Sequence, residues 1–171
     1  MRIVSLLFAC LLWNMTFGQK AVSKEISTLL TEGKPLQEVS LIHFVSNEVT
    51  NRSIPLEGLT KGTIVSIDEV AIEKLLNGNS DFIQLGLPLS ERQNLKLNLV
   101  RHEIFAEDFA LYTSSEPGIP FNYTPGVHYK GVVEGDPSSL VAVSVFNNEV
   151  MALISTGHGN MILGRIDNDR E

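Results

Sequence analysis

The sequence is poor in the residues that usually advertise chemistry. Of 171 residues one is cysteine, Cys10, which excludes a disulfide scaffold and a cysteine-rich zinc site. Histidine occurs four times and tryptophan once. Lys and Arg number 13 against 20 Asp and Glu, a formal charge of 13 − 20 = −7, which disfavours nucleic acid or anionic lipid as a partner. No apolar run reaches the roughly 18 residues that span a bilayer. No repeat or low-complexity block occurs. What is there reads as ordinary globular text: 43% hydrophobic and 19% charged residues, in a length suited to one domain.

The first 19 residues differ from the rest. Arg2 supplies a positive charge, and an uncharged run follows from Ile3 to Trp13. Polar Asn14 and Thr16 and small Gly18 then lead into Gln19 and Lys20. This pattern predicts a secretory signal cleaved near Gly18 or Gln19 and a protein that is secreted, periplasmic or at the cell surface. Cys10 lies inside the apolar core, which argues against a lipoprotein. Cleavage removes both Cys10 and Arg2, leaving a cysteine-free chain of charge 12 − 20 = −8 that a packed core alone must stabilise. Asn51-Arg52-Ser53 and Asn122-Tyr123-Thr124 match the glycosylation pattern, which is short enough to arise by coincidence.

Along the mature chain, Val22, Ile26, Leu29 and Leu30 recur at helical spacing within Ala21 to Glu32, and Gly33 and Pro35 end the pattern. Val39 to Val45 reads as a strand and Asn47 to Pro55 as turn-rich. Thr63 to Ile67 alternates as a strand, and Asp68 opens a short helix through Leu76 that stops at Gly78. Phe82 to Leu87 and Leu95 to Ile104 form two strands joined across Pro88 to Asn94. Pro117, Pro120 and Pro125 mark an irregular stretch that runs extended over the surface. Four apolar runs follow: Val127 to Glu134, Leu140 to Phe146, Val150 to Ser155 and Met161 to Ile166. Gly135-Asp136-Pro137-Ser138, Asn147-Asn148 and Thr156 to Asn160 separate them, which predicts a β-meander. The expected fold is α+β and β-rich: an antiparallel meander or sandwich-like sheet with one or two short helices. The domain spans 20–166. The polar tail 167–171 ends as an internal piece of a longer protein would, or as the start of a linker.

Sites for chemistry fail on spacing. His102-Glu103 begins the zinc-protease helix pattern, but Ala106 stands where the second histidine belongs. His43, His128 and His158 have no paired spacing. Gly157-His158-Gly159 lacks the third glycine of a dinucleotide loop and joins two strands, so it is a hairpin turn. No Gly-x-Ser-x-Gly occurs, and Ser138-Ser139 has no base beside it. Asp68-Glu69 and Glu107-Asp108 sit where caps and solvated turns place them. The expected catalytic and metal residues are none, and no cofactor is expected.

One stretch does carry a likeness. His128-Tyr129-Lys130-Gly131, then Gly135-Asp136-Pro137-Ser138-Ser139 and the apolar strand through Ser144, followed by Val150 to Ser155, resembles the end of the pro-segment of reprolysin-type (adamalysin, M12B) zinc metalloproteases of bacterial type. Ile64 to Thr113 is similar, more loosely, to the earlier part of such pro-segments. His128, Tyr129, Gly131, Gly135, Pro137, Ser139 and Ser144 are the motif residues, and their types suit a scaffold of strands and tight turns. Two departures matter. Animal members often block the zinc with a pro-segment cysteine, absent from the mature chain here, and the catalytic His-Glu-x-x-His-x-x-Gly-x-x-His helix is absent from this sequence.

The resemblance implies a non-catalytic domain that helps a secreted metalloprotease fold and occludes its cleft, in cis or in trans, any zinc belonging to that partner. Nucleic acid is not an expected partner, nor is a membrane after signal cleavage. The segment Ser114 to Pro125 is the candidate contact, with Phe121 and Tyr123 as aromatic anchors. Its alternative is a plain connecting loop whose aromatics fold back on the core. A different class also fits the pattern, a stand-alone surface binding or adhesion module. A self-sufficient hydrolase fits least, because no nucleophile, base or metal set assembles.

Overall fold

The computed structural model describes residues 17–45 and 62–165, with side chains from residue 21 onward. The Asn47 to Pro55 turn, the Ile3–Trp13 run and the tail 167–171 lie outside the described residues. The described residues are β-rich and mostly antiparallel, with two short helices. Helix α1 (Phe17–Thr31) starts earlier than the Ala21 expected from spacing. It stops where the sequence says it should. Gly33 takes φ +68°, and the Lys34 N–H reaches back to the Leu29 carbonyl at 3.1 Å, closing the last turn.

Two short strands follow, β1 (Gln37–Val39) and β2 (Ile42–Phe44), where one was expected from Val39 to Val45. The chain changes sheet between them, burying Leu41 completely. Strand β3 (Val65–Ile67) pairs with β2 in a separate ribbon. Helix α2 (Glu69–Asn77) is capped by Asp68, whose carboxylate accepts from the Ala71 N–H at 2.9 Å. Gly78 ends this helix at φ −90°, so its stop does not depend on left-handed backbone.

The main sheet has seven strands in the order β1-β4-β5-β8-β9-β10-β11. They are β4 (Phe82–Ser90), β5 (Gln93–Arg101), β8 (Val127–Val133), β9 (Asp136–Phe146), β10 (Glu149–Thr156), β11 (Gly159–Leu163) and β1, which alone runs parallel to its neighbour β4. The expected meander is present: β8 through β11 are consecutive antiparallel neighbours. Between β5 and β8 the chain leaves the sheet for residues 102–126, which contain only the two-residue strands β6 (Leu111–Tyr112) and β7 (Pro120–Phe121).

Strand alternation divides the core between two faces. On one face Leu85, Leu97, Leu99, Val141, Val143 and Ile154 are buried beneath α2, through Ile72 and Leu75, and beneath the β2–β3 ribbon. On the other face Phe82, Val100 and Val132 pack against Ile26, Val22 and Leu29 of α1. Glu25 of α1 also reaches Lys130 of β8 at 3.1 Å. Among the described residues nothing beyond α1 covers this second face. Leu140, Met151, Leu153 and Ile162 are exposed there, next to β11, the last strand of the sheet.

Candidate interaction surface

The resemblance residues assemble one hairpin, β8–β9. Glu134 and Gly135 form its two-residue turn, with Gly135 at φ +79°. The turn is therefore tighter than the Gly135 to Ser138 stretch suggested, and β9 begins at Asp136, well before Leu140. Ser139 explains how. It is fully buried; its hydroxyl accepts from the Val133 N–H at 2.8 Å and donates to the Asp136 carbonyl at 2.6 Å. These side-chain bonds stand in for the ladder where the register shifts, and Pro137, which has no N–H to offer, sits in that interruption. Asp136 accepts in turn from the Ser138 hydroxyl and N–H, and these bonds hold its carboxyl below the usual range.

Gly131 is required by proximity. A Cβ there would collide with the Asn98 carbonyl of β5, so only glycine lets the two strands meet. Tyr129 is buried and donates its hydroxyl to the Ser80 carbonyl at 3.0 Å, tying β8 to the start of β4; burial raises its pKa.

His128 faces the opposite side of the sheet. Its Nδ1 lies 3.0 Å from Ser144 Oγ, and its Nε2 is buried with no hydrogen-bond partner among the described residues. Phe146 and Phe105 close edge-on at 5.8 and 5.9 Å between ring centres. Phe105 stacks on Phe109 at 4.5 Å, and Tyr123 meets both rings edge-on at 6.1 and 6.5 Å. Residues 102–126 are thus stapled to the hairpin by aromatic rings. Burial holds the His128 pKa below its ordinary value, with Glu103 opposing and Arg101 assisting.

The two expected anchors have different settings. Tyr123 is part of the staple and still 38% exposed. Phe121 lies outside it, 55% exposed, paired across β6–β7 with Leu111. Phe105, Phe109 and Phe146 are not among the expected anchors. The signal was present in the run Phe105-Ala106-Glu107-Asp108-Phe109, too acidic and too aromatic for an ordinary connector.

Elsewhere the surface offers less. A shallow cleft of about 260 Å³ lies where residues 102–126 rejoin the sheet, lined by Pro125, Gly126, Phe146 and Arg165. Another of about 380 Å³ is lined by His43, Pro88 and Arg92. Near it His43 Nε2 stands 3.6 Å from Asp68 Oδ2, with both side chains substantially exposed. Asp68 is already committed to capping α2, and that helix-cap bond leads the causes that lower its pKa. Among the described residues no three His, Cys, Asp or Glu side chains come together as a metal site. No helix described is long and apolar enough to cross a membrane. Against family models, curated proteins and solved structures the chain finds no match.

Proposed function

We propose that the chain is a non-catalytic, pro-segment-like domain of an exported zinc metalloprotease, aiding its folding and occluding its cleft. The observation that carries this reading is where the resemblance residues fall. His128 to Ser144 form the central hairpin, and the hairpin holds an exposed segment of apolar side chains against its own aromatic platform. That division between a rigid scaffold and a presented segment suits a domain that works by contact. The mature chain has no cysteine to ligate zinc, so the occlusion is steric.

Export from the cell belongs to the same reading. Gly18 and Gln19 lie in the first turn of α1, and the residues that pack the helix, Val22, Ile26 and Leu29, all follow them. Cleavage there leaves the packed face of α1 intact.

The test uses the domain and a metalloprotease catalytic domain from the same source, expressed separately. Added in trans, residues 20–171 inhibit peptide hydrolysis, and Phe121→Ala with Tyr123→Ala weakens inhibition by about tenfold, the loss of one or two hot-spot contacts. A protease left fully active refutes the reading. The stand-alone adhesion module then stands ahead, favoured by the open apolar face of β9, β10 and β11.

A further inference from the structure

The segment between β5 and β8 has a one-sided composition. Residues 102–126 contain Glu103, Glu107, Asp108 and Glu116 and no lysine or arginine. Glu103 is paired with Arg101 at 2.9 Å. Among the described residues, Glu107, Asp108 and Glu116 make no ion pair and are exposed. Between these carboxylates stand large apolar side chains in water: Tyr112 is 54% exposed, Ile119 63% and Phe121 55%, with Phe109 and Leu111 also exposed. Monomeric proteins rarely leave so many neighbouring apolar groups solvated without a partner.

The segment is also held in shape. Register places Leu111 beside Phe121 and Tyr112 beside Pro120. The Phe109 N–H bonds the Ala106 carbonyl at 3.0 Å and the Ile119 N–H the Glu116 carbonyl at 3.3 Å, while Gly118 at φ +94° closes the tip. The aromatic staple fixes its base. Little conformational freedom is left to lose on binding.

From this we infer that residues 102–126 are a docking finger for a protein surface whose apolar groove is rimmed by lysine or arginine. The Leu111–Phe121 ridge and Ile119 enter the groove, and Glu107, Asp108 and Glu116 meet the basic rim. The inference rests on the reading of this segment as the partner contact and adds the chemistry of the partner. Buried apolar anchors supply the affinity. The carboxylates supply orientation and on-rate, so the association weakens with salt.

The experiment titrates residues 20–171 against a fluorescein-labelled peptide of alternating leucine and lysine, followed by anisotropy. A leucine–glutamate peptide and neutral phosphatidylcholine vesicles serve as comparison probes. The cationic peptide binds, and its Kd rises about tenfold or more between 50 and 500 mM salt, the range over which exposed charges become screened. Glu107→Gln/Asp108→Asn/Glu116→Gln weakens binding about tenfold, as does Leu111→Ala/Phe121→Ala. Glu32→Gln/Glu73→Gln/Glu91→Gln, an equal loss of charge on exposed residues elsewhere, leaves binding unchanged. Equal losses in both charge triples would reduce the effect to net acidity and overturn the inference. So would no binding of the cationic peptide, equal binding of the acidic one, or vesicle binding that depends on Leu111 and Phe121. Inhibition of the protease is measured separately. Inhibition with the finger silent refutes this inference and leaves the pro-segment reading standing, and a binding finger without inhibition does the reverse.

Discussion

His128 Nδ1 lies 3.0 Å from Ser144 Oγ across the β8–β9 pair, while its Nε2 is buried among aromatic rings with no partner among the described residues. Protonating Nε2 would place an unpaired N–H and a charge against Phe105 and Phe146. The neutral ring, with Nδ1–H donating to Ser144, leaves only a bare acceptor buried and is the cheaper form.

A pH dependence follows, with a definite sign. The folded state holds the His128 pKa below its usual 6.5, chiefly by burial. As pH falls through that value the unfolded chain takes up a proton that the folded chain resists. Stability is therefore intact above it and is lost on acidification, by no more than about 1.4 kcal/mol per pH unit. Thermal melts from pH 7.5 to 5.5 should fall more steeply for the native domain than for His128→Phe. Parallel slopes would remove His128 from the account.

Gly131 is the position least able to change. Its missing Cβ is the space occupied by the Asn98 carbonyl, a backbone atom in the middle of β5 that cannot rotate aside. Gly131→Ala should cost about 3 kcal/mol or more in urea unfolding, at the upper end of overpacking effects. Gly157→Ala, with nothing within 4 Å of the added carbon, provides the contrast and should change stability by under about 1 kcal/mol.

Two adjacent serines should part company. Ser139→Ala strands the Val133 N–H in the interior and should cost about 1–3 kcal/mol. Ser138→Ala removes one exposed hydroxyl bond to Asp136, keeps the backbone N–H bond, and should cost under about 0.5 kcal/mol. Equal costs would mean that Ser139 does not pin the bulge.

The N-terminal helix can be tested against the cleavage expectation. Mass spectrometry of the exported protein should find its first residue at Gln19 or Lys20, and an intact Met1 on the exported protein would refute this. Ile26, 2% exposed against Phe82 and Val132, should lose about 2–4 kcal/mol on truncation to alanine. Deleting residues 1–19 should leave the melting temperature within a few degrees of the full chain.

Much of this architecture was written locally. The caps at Asp68 and Gly33, the turns at Asn147-Asn148 and Gly157-His158, and the alternation of β9 and β10 depend on neighbours a few residues apart, so they could be read residue by residue. The meander followed from them, because short turns leave adjacent strands no other partner. The exposure of Phe121 was legible as well, in a proline-rich stretch that no central strand could use. Tertiary structure decided the rest. The Val39 to Val45 stretch became two strands in different sheets because Leu41 is buried at the crossing between them. The Gly135 to Ser138 turn tightened because Ser139 found the Val133 N–H. His128, Phe105, Phe109, Tyr123 and Phe146 became one cluster only when β5, β8 and β9 lay side by side. Each contact of that kind joins residues far apart in the chain, and burial in a shared interior selects it, not any pattern along the sequence.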